Sequence, residues 1–400
     1  MKVSFVSLPT SIEPLGVMHL SAALREAGHE TTSELDGDVL AASIMPGSEG
    51  LLELLEKVKN GRPVIVGGSD PTYNPERYQL PWVDGVCRGD GEKAIVDFVE
   101  GKWTGTVLGE LSATWPKPDR SIVYDKYPEH QKNPIRHFML SRGCPFNCAY
   151  CFNHAYRKLY DGQNVLRTPD PADAVDEICD TIKEWGGKFI YFQDDTFNLK
   201  MSFLDEFLPL YKERVGLPFH CHLRAELVTE SQVKKLLDAG CYSARFAIEI
   251  AGEKKQTLLN RGKITDEDCI NAAMLLKKYG IKVMTQCITC LPDTTYEDDL
   301  ATLDLTKRCN PTYAWASIYQ PYKGTKLGDY CYENNLVVGD AGRFFEESPL
   351  DIPDKEKRER LQRCFSLLAS EEDPERWIYS RHRAEREQLL YGMPHQSEAI

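Results

Sequence analysis

Three cysteines, Cys144, Cys148 and Cys151, fall within eight residues of the chain with the spacing C-x3-C-x2-C. They directly follow a short apolar run, HFML at 137–140. Three thiolates on one compact loop can hold three corners of a [4Fe–4S] cluster, whereas such clusters usually take four protein ligands. The spacing therefore predicts a cluster with one iron open to a substrate or cofactor, and the rest of the chain must fold around that loop.

Other metal arrangements have to be weighed against this interpretation. Zinc sites usually pair two C-x2-C knuckles and close with four ligands, and no second knuckle of that kind stands near the cysteine loop. A second cluster would have to combine Cys287 and Cys290 with Cys309 and Cys331. Because residues three apart on a strand point to opposite faces, joint ligation by Cys287 and Cys290 is awkward.

Composition limits the function classes. The 400 residues predict two or three domains, and the 42% hydrophobic content is enough for proper cores. A net charge of −13 argues against general nucleic-acid or anionic-membrane binding. The remaining cysteines, such as Cys179, Cys241 and Cys269, stand in apolar surroundings and are interpreted as buried thiols without disulfides. With neither a signal-peptide pattern nor a long apolar run in the sequence, we expect a cytoplasmic protein without a membrane segment.

Residues 1–105 alternate between short apolar runs and helical patterns. One helix, at 15–27, lies between Pro14 and Gly28, which are typical start and stop signals. Later runs end in the glycine turns Gly67-Gly68 and Gly89-Asp90-Gly91. This alternation predicts a parallel, doubly wound, Rossmann-like sheet, in which ligands lie outside the carboxyl ends of the strands.

Residues 136–330 repeat the alternation on a larger scale and predict a partial (β/α)6 barrel with its site at the carboxyl ends of the strands. We expect strands at 137–141, 188–193, 218–223, 242–250, 282–291 and 313–319, and helices at 171–185, 202–213, 230–239, 265–279 and 295–308. Residues at several of these strand ends are candidate site residues: the charged Asp194, Asp195, Arg224 and Glu249 and, after the fifth strand, Pro292. The charged residues also have an ordinary structural interpretation as ion pairs or, for the two aspartates, as a helix cap.

The cysteine loop resembles that of the radical S-adenosylmethionine (SAM) superfamily, including the aromatic Tyr150 before the third cysteine. The resemblance implies that the open iron chelates SAM and that reduction cleaves SAM to a 5′-deoxyadenosyl radical. It also implies SAM-binding roles for Tyr150, Asp194, Asp195, Arg224, Glu249 and Pro292. The run Cys290-Leu291-Pro292-Asp293-Thr294 replaces the more usual Gly-Leu-Pro-Gly-Glu, and Asp194-Asp195 stands in place of Gly-Gly-Glu.

The first hundred residues resemble the cobalamin-binding domain that precedes many radical SAM domains, through PLG at 14–16, GGSDPT at 67–72 and RGDGE at 88–92. The resemblance implies cobalamin contacts from Pro9, Thr10, Leu15, Gly16, Ser43, Met45, Gly67, Gly68, Ser69, Thr72, Arg88, Gly89, Gly91 and Glu92. No Asp-x-His-x-x-Gly segment is present, so this pattern implies cobalamin bound without a histidine ligand. A degenerate domain that no longer binds cobalamin is the alternative.

Two segments remain. Residues 106–135 are interpreted as a linker, and residues 331–400 as a helical region beside the substrate. In that last region the charged run at 354–360 is interpreted as a solvated helix face. The alternative interpretation is that Trp377, Tyr379 and Tyr391 line a substrate entrance.

Together the resemblances imply a cobalamin-dependent radical SAM C-methyltransferase. The deoxyadenosyl radical would abstract hydrogen from an unactivated carbon, and methylcobalamin would deliver a methyl group to a peptide, a protein residue or a small biosynthetic intermediate. A flavodoxin- or ferredoxin-type electron donor is the implied partner. Two alternatives stay open: a radical SAM enzyme with a vestigial first domain that catalyses cyclisation, oxidation or sulfur insertion, and a binding protein with a structural or redox-sensing cluster.

Overall fold

The computed structural model describes residues 1–8, 12–342 and 345–370, and contains two parallel β-sheets of six strands each. The first sheet has the order β2-β1-β3-β4-β5-β6. Its strands are β1 (Lys2–Phe5), β2 (Glu30–Thr32), β3 (Val39–Ser43), β4 (Val64–Gly67), β5 (Gly85–Arg88) and β6 (Gly105–Leu108). The order reverses between β1 and β3, and a doubly wound sheet binds ligands at such a switch point.

Short helices connect the strands of the first sheet. They are α1 (Leu15–Glu26), α2 (Glu49–Val58), α3 (Ser69–Tyr73) and α4 (Glu92–Val99). Helices α1 and α4 bury apolar faces against one side of the sheet, together with Val3, Phe5 and Ile65. The segment after β6 contains two single-turn helices, α5 (Ser121–Tyr124) and α6 (Pro128–Lys132).

The second sheet has the sequential order β12-β11-β10-β9-β8-β7, in which every strand pairs in parallel with its chain neighbours. This order is that of an open β/α barrel. The strands are β7 (Ile135–Phe138), β8 (Phe189–Phe192), β9 (Phe219–Leu223), β10 (Cys241–Glu249), β11 (Lys282–Thr289) and β12 (Tyr313–Ile318). Alternate side chains, among them Phe192, Cys221 and Phe246, enter the main core on the helical side of the sheet.

The helices of the second half are α7 (Phe152–Leu159), α8 (Pro171–Trp185), α9 (Met201–Arg214), α10 (Glu230–Asp238), α11 (Lys254–Thr257), α12 (Asp266–Lys278), α13 (Tyr296–Cys309), α14 (Lys326–Glu333) and α15 (Lys355–Ala369). Thr265 and Thr295 begin α12 and α13 with capping boxes, in which each threonine accepts from the backbone N–H three residues on. Such caps fix where each helix leaves the strand end before it.

The two halves are joined by a buried ion pair between Glu13, which precedes α1, and Arg120 of the connecting segment. Glu13 also accepts hydrogen bonds from the Tyr124 hydroxyl and from the backbone N–H of His137 on β7. Burial opposes ionisation of Glu13, but Arg120, His137 and the two hydrogen bonds together outweigh it and lower the pKa of that carboxyl. The first strand of the second sheet is thus tied to the loop that enters the first helix of the chain.

Helix α15 covers the edge strand β12. The Gln362 side-chain amide donates to the Ala316 carbonyl at 2.8 Å, and the Ser366 hydroxyl to the Ala314 carbonyl at 2.6 Å. The Ala314 N–H in turn donates to the Ser370 hydroxyl at 3.3 Å. Backbone groups that the sheet leaves unpaired at this edge therefore find side-chain partners.

Several sequence-based expectations need correction. Strand β6 extends the first sheet to Leu108, so the segment predicted as a linker from 106 begins inside a strand. Helices α7 and α14 were not predicted, and Arg358 of the predicted solvated face is fully buried. Trp377, Tyr379 and Tyr391 lie outside the described residues. Among the described helices, none has the length and apolarity needed to cross a bilayer.

Candidate functional site

The cysteine loop begins after β7 and ends at Cys151, which immediately precedes α7. Cys148 is buried, and Cys144 and Cys151 are partly buried. Burial, the Asp195 carboxylate and the other two cysteines together raise the pKa of Cys151 to about 12. Burial also raises the pKa of Cys144, with Asp195 and Cys148 acting in the same direction. These thiols are close enough to repel one another as thiolates, so they ionise together only around positive charge.

The donor set suits a cluster better than a single ion. Among residues 1–8, 12–342 and 345–370, no three His, Cys, Asp or Glu side chains stand in a geometry that holds one metal ion. A [4Fe–4S] cluster takes each thiolate on a different iron, so its sulfurs need not converge on one point. The other close pair is divided, because Cys287 packs in the main core while Cys290 packs with Cys331 in a separate one.

Arg224 lies beneath the cysteine loop. Its guanidinium stacks 3.5 Å from the centre of the Phe146 ring, and its Nη1 is 3.8 Å from Cys148 Sγ. Its Nε donates to Glu226. These contacts place Arg224 against the cysteine loop, where its positive charge offsets the negative charge of the cysteine sulfurs. The guanidinium is already in contact with Phe146, Cys148 and Glu226.

The two aspartates after β8 have different surroundings. Asp194 is buried, and its carboxylate accepts from the backbone N–H of Leu140 at 3.1 Å and from the Ser141 hydroxyl at 2.5 Å. It thereby holds the start of the cysteine loop, and burial raises its pKa to about 6. Asp195 is exposed, yet the surrounding protein desolvates its carboxyl and raises the pKa. This combination describes a side chain in the wall of a deep recess beside Cys144 and Cys151.

Tyr150 and Glu249, two predicted SAM-binding residues, are brought into contact. The Tyr150 hydroxyl donates to Glu249 Oε1 at 2.7 Å, and Arg261 Nη1 lies 3.1 Å from the same oxygen. Glu249 has a φ of +63°, at the point where the β10–β11 register shifts. A non-glycine residue in this conformation is strained by about 1–2 kcal/mol and needs its surroundings to hold it. The buried Arg261 supplies that support.

The loop after β11 keeps the shape of a glycine loop without the glycines. Cys290 and Asp293, which stand where the more usual sequence has glycine, have φ values of +58° and +52°. Pro292 lies buried between them. The next residue, Thr294, is held by Arg358 of α15, which donates to its carbonyl at 2.9 Å and pairs with Asp299 at 2.6 Å. A distant helix therefore fixes this strand end.

A cavity of ≈ 210 Å³ opens at the carboxyl ends of β1, β3, β4 and β5, at the switch point of the first sheet. Residues predicted to contact cobalamin that line this cavity are Leu15, Gly16, Ser43, Gly67, Gly68, Gly89, Gly91 and Glu92. A Cβ built on Gly16 meets no atom within 4 Å, so the space beside this glycine is open. His19 and Arg142, which were not predicted, also line the cavity.

The other predicted cobalamin contacts have different positions. Thr72 is buried and accepts from the Gly89 N–H at 3.0 Å, while Arg88 Nε donates to the Thr72 carbonyl at 2.8 Å. These two residues brace the glycine turn rather than line the cavity. Ser69 begins α3, and Met45 is 59% exposed. Pro9 and Thr10 lie outside the described residues.

The turn at 89–92 is also the contact between the two halves. Asp90 is clamped by Arg167 and the Tyr156 hydroxyl, both from the second half. Glu92 accepts from Arg142 at 2.6 Å. Arg142 stands two residues before Cys144, so one ion pair joins the cavity wall to the cysteine loop.

Three of the arginines that build this site were missed from the sequence: Arg142, Arg261 and Arg358. Arg142 is adjacent to the cysteine motif, so its position was a usable signal. Arg261 and Arg358 lie in polar stretches with no motif, and their burial depends on long-range packing. They were therefore not recognisable from local sequence.

The fold and site define a class of protein: two parallel sheets whose strand ends meet, one around a cavity and one around a three-cysteine loop. Residues 138–306 match the family model of the radical SAM superfamily. The chain therefore carries a radical SAM domain at these residues, and the resemblance inferred from the cysteine loop is confirmed.

Relatives and solved structures extend this result. The chain is 28% identical over 376 residues to an uncharacterized methyltransferase of Pyrococcus horikoshii, a match covering 82% of this chain and 80% of that protein. It is 24% identical over 358 residues to the anaerobic magnesium-protoporphyrin IX monomethyl ester cyclase of Rubrivivax gelatinosus, covering 80% and 62% of the two. It shares the fold of the radical SAM methyltransferase TsrM from Kitasatospora setae, solved with cobalamin and a [4Fe–4S] cluster, at a TM-score of 0.68 and 15% identity, covering 90% and 84%.

Proposed function

We propose that this protein is a cobalamin-dependent radical SAM methyltransferase that acts on an unactivated carbon. In this proposal residues 1–105 bind cobalamin, residues 136–330 bind the cluster and SAM, and residues 331–400 adjoin the substrate. The observation that carries the proposal is the Glu92–Arg142 ion pair, because it sets the cavity of the first sheet directly against the cysteine loop of the second. An enzyme that passes a group between two cofactors needs this adjacency.

The cluster would be held by Cys144, Cys148 and Cys151, with the Arg224 guanidinium beside Cys148 offsetting part of its negative charge. Asp195, in its recess beside two of these cysteines, is placed to accept hydrogen bonds from an ammonium group such as that of SAM. Glu249 is held near the strand end by Tyr150 and Arg261. When bound, the cluster and SAM supply a carbon-centred radical, and cobalamin supplies the methyl group.

The cavity fits part of a corrinoid rather than all of it. Pockets that enclose a drug-sized ligand span about 300–1,000 Å³, and this one measures ≈ 210 Å³. Its wall is mostly apolar or glycine, and its polar groups are Ser43, Asp90, Glu92, Arg142 and His19. His19 Nδ1 bonds the Pro116 carbonyl at 2.8 Å, and burial lowers its pKa to about 4, so the ring is neutral. We propose that the residues lining this cavity would hold a side group of the cofactor.

A second function is favoured by one specific observation, the similarity to magnesium-protoporphyrin ester cyclases over 80% of this chain. A radical reaction that ends in ring closure would need the same cluster and SAM sites. It would not need a methyl group delivered from the first half. The two functions therefore differ in whether the methyl carbon of SAM reaches the product.

Anaerobic reconstitution with iron, sulfide and hydroxocobalamin tests the proposal. We expect an absorbance spectrum with both cluster and corrinoid bands, and reductive cleavage of SAM to 5′-deoxyadenosine. Cys148→Ala should abolish the cluster band and SAM cleavage, while Cys241→Ala, a buried cysteine of the main core, should keep both. A protein that binds the cluster but no corrinoid would overturn the methyltransferase proposal and favour the cyclase-type reaction.

A matched pair of variants tests whether the cavity binds the corrinoid. Gly16→Leu fills open space beside the cavity and should lower corrinoid occupancy about tenfold or more without altering the cluster band. Gly50→Leu, at the same second position of α2, also has no atom within 4 Å of the added Cβ and lies away from the cavity lining, so it controls for the helix substitution. Equal corrinoid occupancy in both variants would exclude this cavity as the binding site.

A further inference from the structure

The inner face of the second sheet, opposite its helices, carries polar side chains and is partly open. Side chains that alternate with the core residues point to this face, and several are partly exposed, among them Tyr191, His222, Arg245, Gln286, Trp315 and Ser317. A sheet that served only as a scaffold would fill this face with apolar side chains. Its openness therefore indicates a binding surface.

Arg245 is the charged residue at the centre of this face. Along the hydrogen-bonding direction its neighbours are His222 on β9, Met284 on β11 and, one strand further, Tyr313. Its polar contact within the described residues is His222 Nδ1 at 3.0 Å, and no carboxylate there pairs with it. The chain has 61 acidic residues. A half-buried arginine without one of them is costly unless a ligand supplies the anion.

The neighbours of Arg245 are arranged to keep it unpaired and oriented. Because a guanidinium only donates, His222 Nδ1 must accept, and the hydrogen of this imidazole resides on Nε2. His222 Nε2 lies 3.1 Å from the Tyr191 hydroxyl, which accepts that hydrogen. Burial and the charge of Arg245 keep the pKa of His222 well below its ordinary value, so the histidine does not become a second cation.

We propose that Arg245 binds a carboxylate of the substrate, and that the substrate carries this carboxylate on an apolar, partly planar body. The inference rests on the proposed radical SAM site, since it places the reacting carbon at the strand ends. A carboxylate matches the planar fork of one guanidinium, whereas a phosphate needs more positive charge than this row of side chains offers. Tyr191 on β8 and Trp315 on β12 are aromatic side chains of this face on either side of Arg245, and the Tyr191 ring is itself stacked on His137.

The position of Arg245 also sets the expected distance between the carboxylate of the substrate and its reacting carbon. Arg245 stands four residues before Glu249 on β10, which is roughly 13 Å along a strand. The substrate is therefore expected to hold its carboxylate on the order of 10 Å from the carbon that reacts.

A binding comparison tests the proposal. Indole-3-propionate and its methyl ester share one aromatic body and differ in the charge, and their affinities for the reconstituted enzyme are measured by calorimetry. We expect the acid to bind about tenfold or more tightly than the ester. Arg245→Gln should remove this preference, and Arg245→Lys, which keeps the charge but not the fork, should reduce it. Arg214→Gln, which removes a surface arginine paired with Asp176, should keep it.

Two results would overturn the proposal: equal affinities for acid and ester in the unaltered enzyme, including no detectable binding of either, or a preference that persists in Arg245→Gln. SAM cleavage is measured on the same samples. If cleavage is intact while the preference is absent, only the substrate inference fails. If SAM is not cleaved at all, the proposed function fails, and the acid–ester comparison still reports on Arg245.

Discussion

Both sheets place residues with a positive φ at their carboxyl ends, but by opposite means. At the first sheet, Gly68 and Gly89 have φ values of +100° and +73°. At the second, Glu249, Cys290 and Asp293 occupy the left-handed region as non-glycine residues. Glycine adopts this conformation without strain and leaves space beside the backbone. A residue with a Cβ stays there only when its surroundings hold it.

The difference corresponds to what each edge contains. The glycine edge surrounds a cavity and the second half's Tyr160, so it provides room. The other edge is held by buried arginines, Arg261 at Glu249 and Arg358 at Thr294, so it provides fixed side chains. Strained strand ends cluster at functional sites, and here the strain lies on the sheet that carries the cysteine loop.

The largest effect is expected from removing the arginine that holds the second edge. Arg358→Met leaves the buried Asp299 without its partner and should lower the free energy of unfolding by about 3–5 kcal/mol. The double variant Arg358→Met/Asp299→Leu removes both charges and should recover most of that loss. Urea titrations of the single and double variants measure the difference; equal stabilities of the single variant and the unaltered protein would contradict the anchoring role.

At the first edge, the expected cost comes from lost space. Gly89→Ala would place a Cβ 1.9 Å from the Tyr160 hydroxyl, and it adds backbone strain, so about 2–3 kcal/mol of stability should be lost. Gly28→Ala, at a φ of +83° with no atom within 4 Å of the added Cβ, isolates the backbone part and should cost about 1 kcal/mol. If thermal unfolding gives equal losses for the two variants, Tyr160 is not what requires glycine at 89.

The second edge should also respond to pH. Because burial raises the pKa of Asp194 to about 6, the folded protein holds this proton more tightly than the unfolded chain, whose aspartates titrate near 3.9. The stabilisation is present below pH 4 and is lost as the pH rises through about 6. As the pH rises from 4.5 to 7, the free energy of unfolding of Asp194→Asn should increase by about 2 kcal/mol relative to that of the unaltered protein. Parallel stability curves of the two cluster-free proteins would show that Asp194 does not titrate in this range.

The smallest effect should come from placing a glycine at the second edge, as the first edge already has. Asp293 is exposed with a φ of +52°, so Asp293→Gly relieves strain and should stabilise the protein by about 0.5 kcal/mol. Asp351, an exposed loop residue outside the left-handed region, provides the control, since Asp351→Gly should destabilise by a similar amount. A loss of stability in Asp293→Gly would mean that its side-chain contact with Tyr330 outweighs the strain.

The sequence was sufficient for features with a local cause. Alternation of apolar runs and helical patterns predicted the parallel sheets, and the resemblance of the cysteine loop to the radical SAM superfamily is confirmed. Helix α7 was missed because its sequence, FNHAYRKL, has few apolar residues and directly follows the cysteine loop. Helix α14 was missed because a polar, aromatic stretch hides its amphipathic pattern.

Features with a long-range cause were not predictable. The sequence indicated that glycines at 89 and 91 let a ligand approach, whereas the space above Gly89 is filled by Tyr160, 71 residues later. The run at 354–360 was interpreted as solvated because it is charged, yet its Arg358 pairs with Asp299 in the interior. Burial of a charged side chain depends on a partner far along the chain, and no local pattern records that partner.

The cover that α15 forms over β12 has a practical consequence for handling this protein. Gln362, Ser366 and Ser370 occupy backbone groups that would otherwise remain free along the outermost strand. A chain cut before Lys355 would present that strand to solvent as an open template, and two such chains would pair edge to edge. Truncated preparations should therefore self-associate with increasing concentration, independently of whether the cluster is loaded.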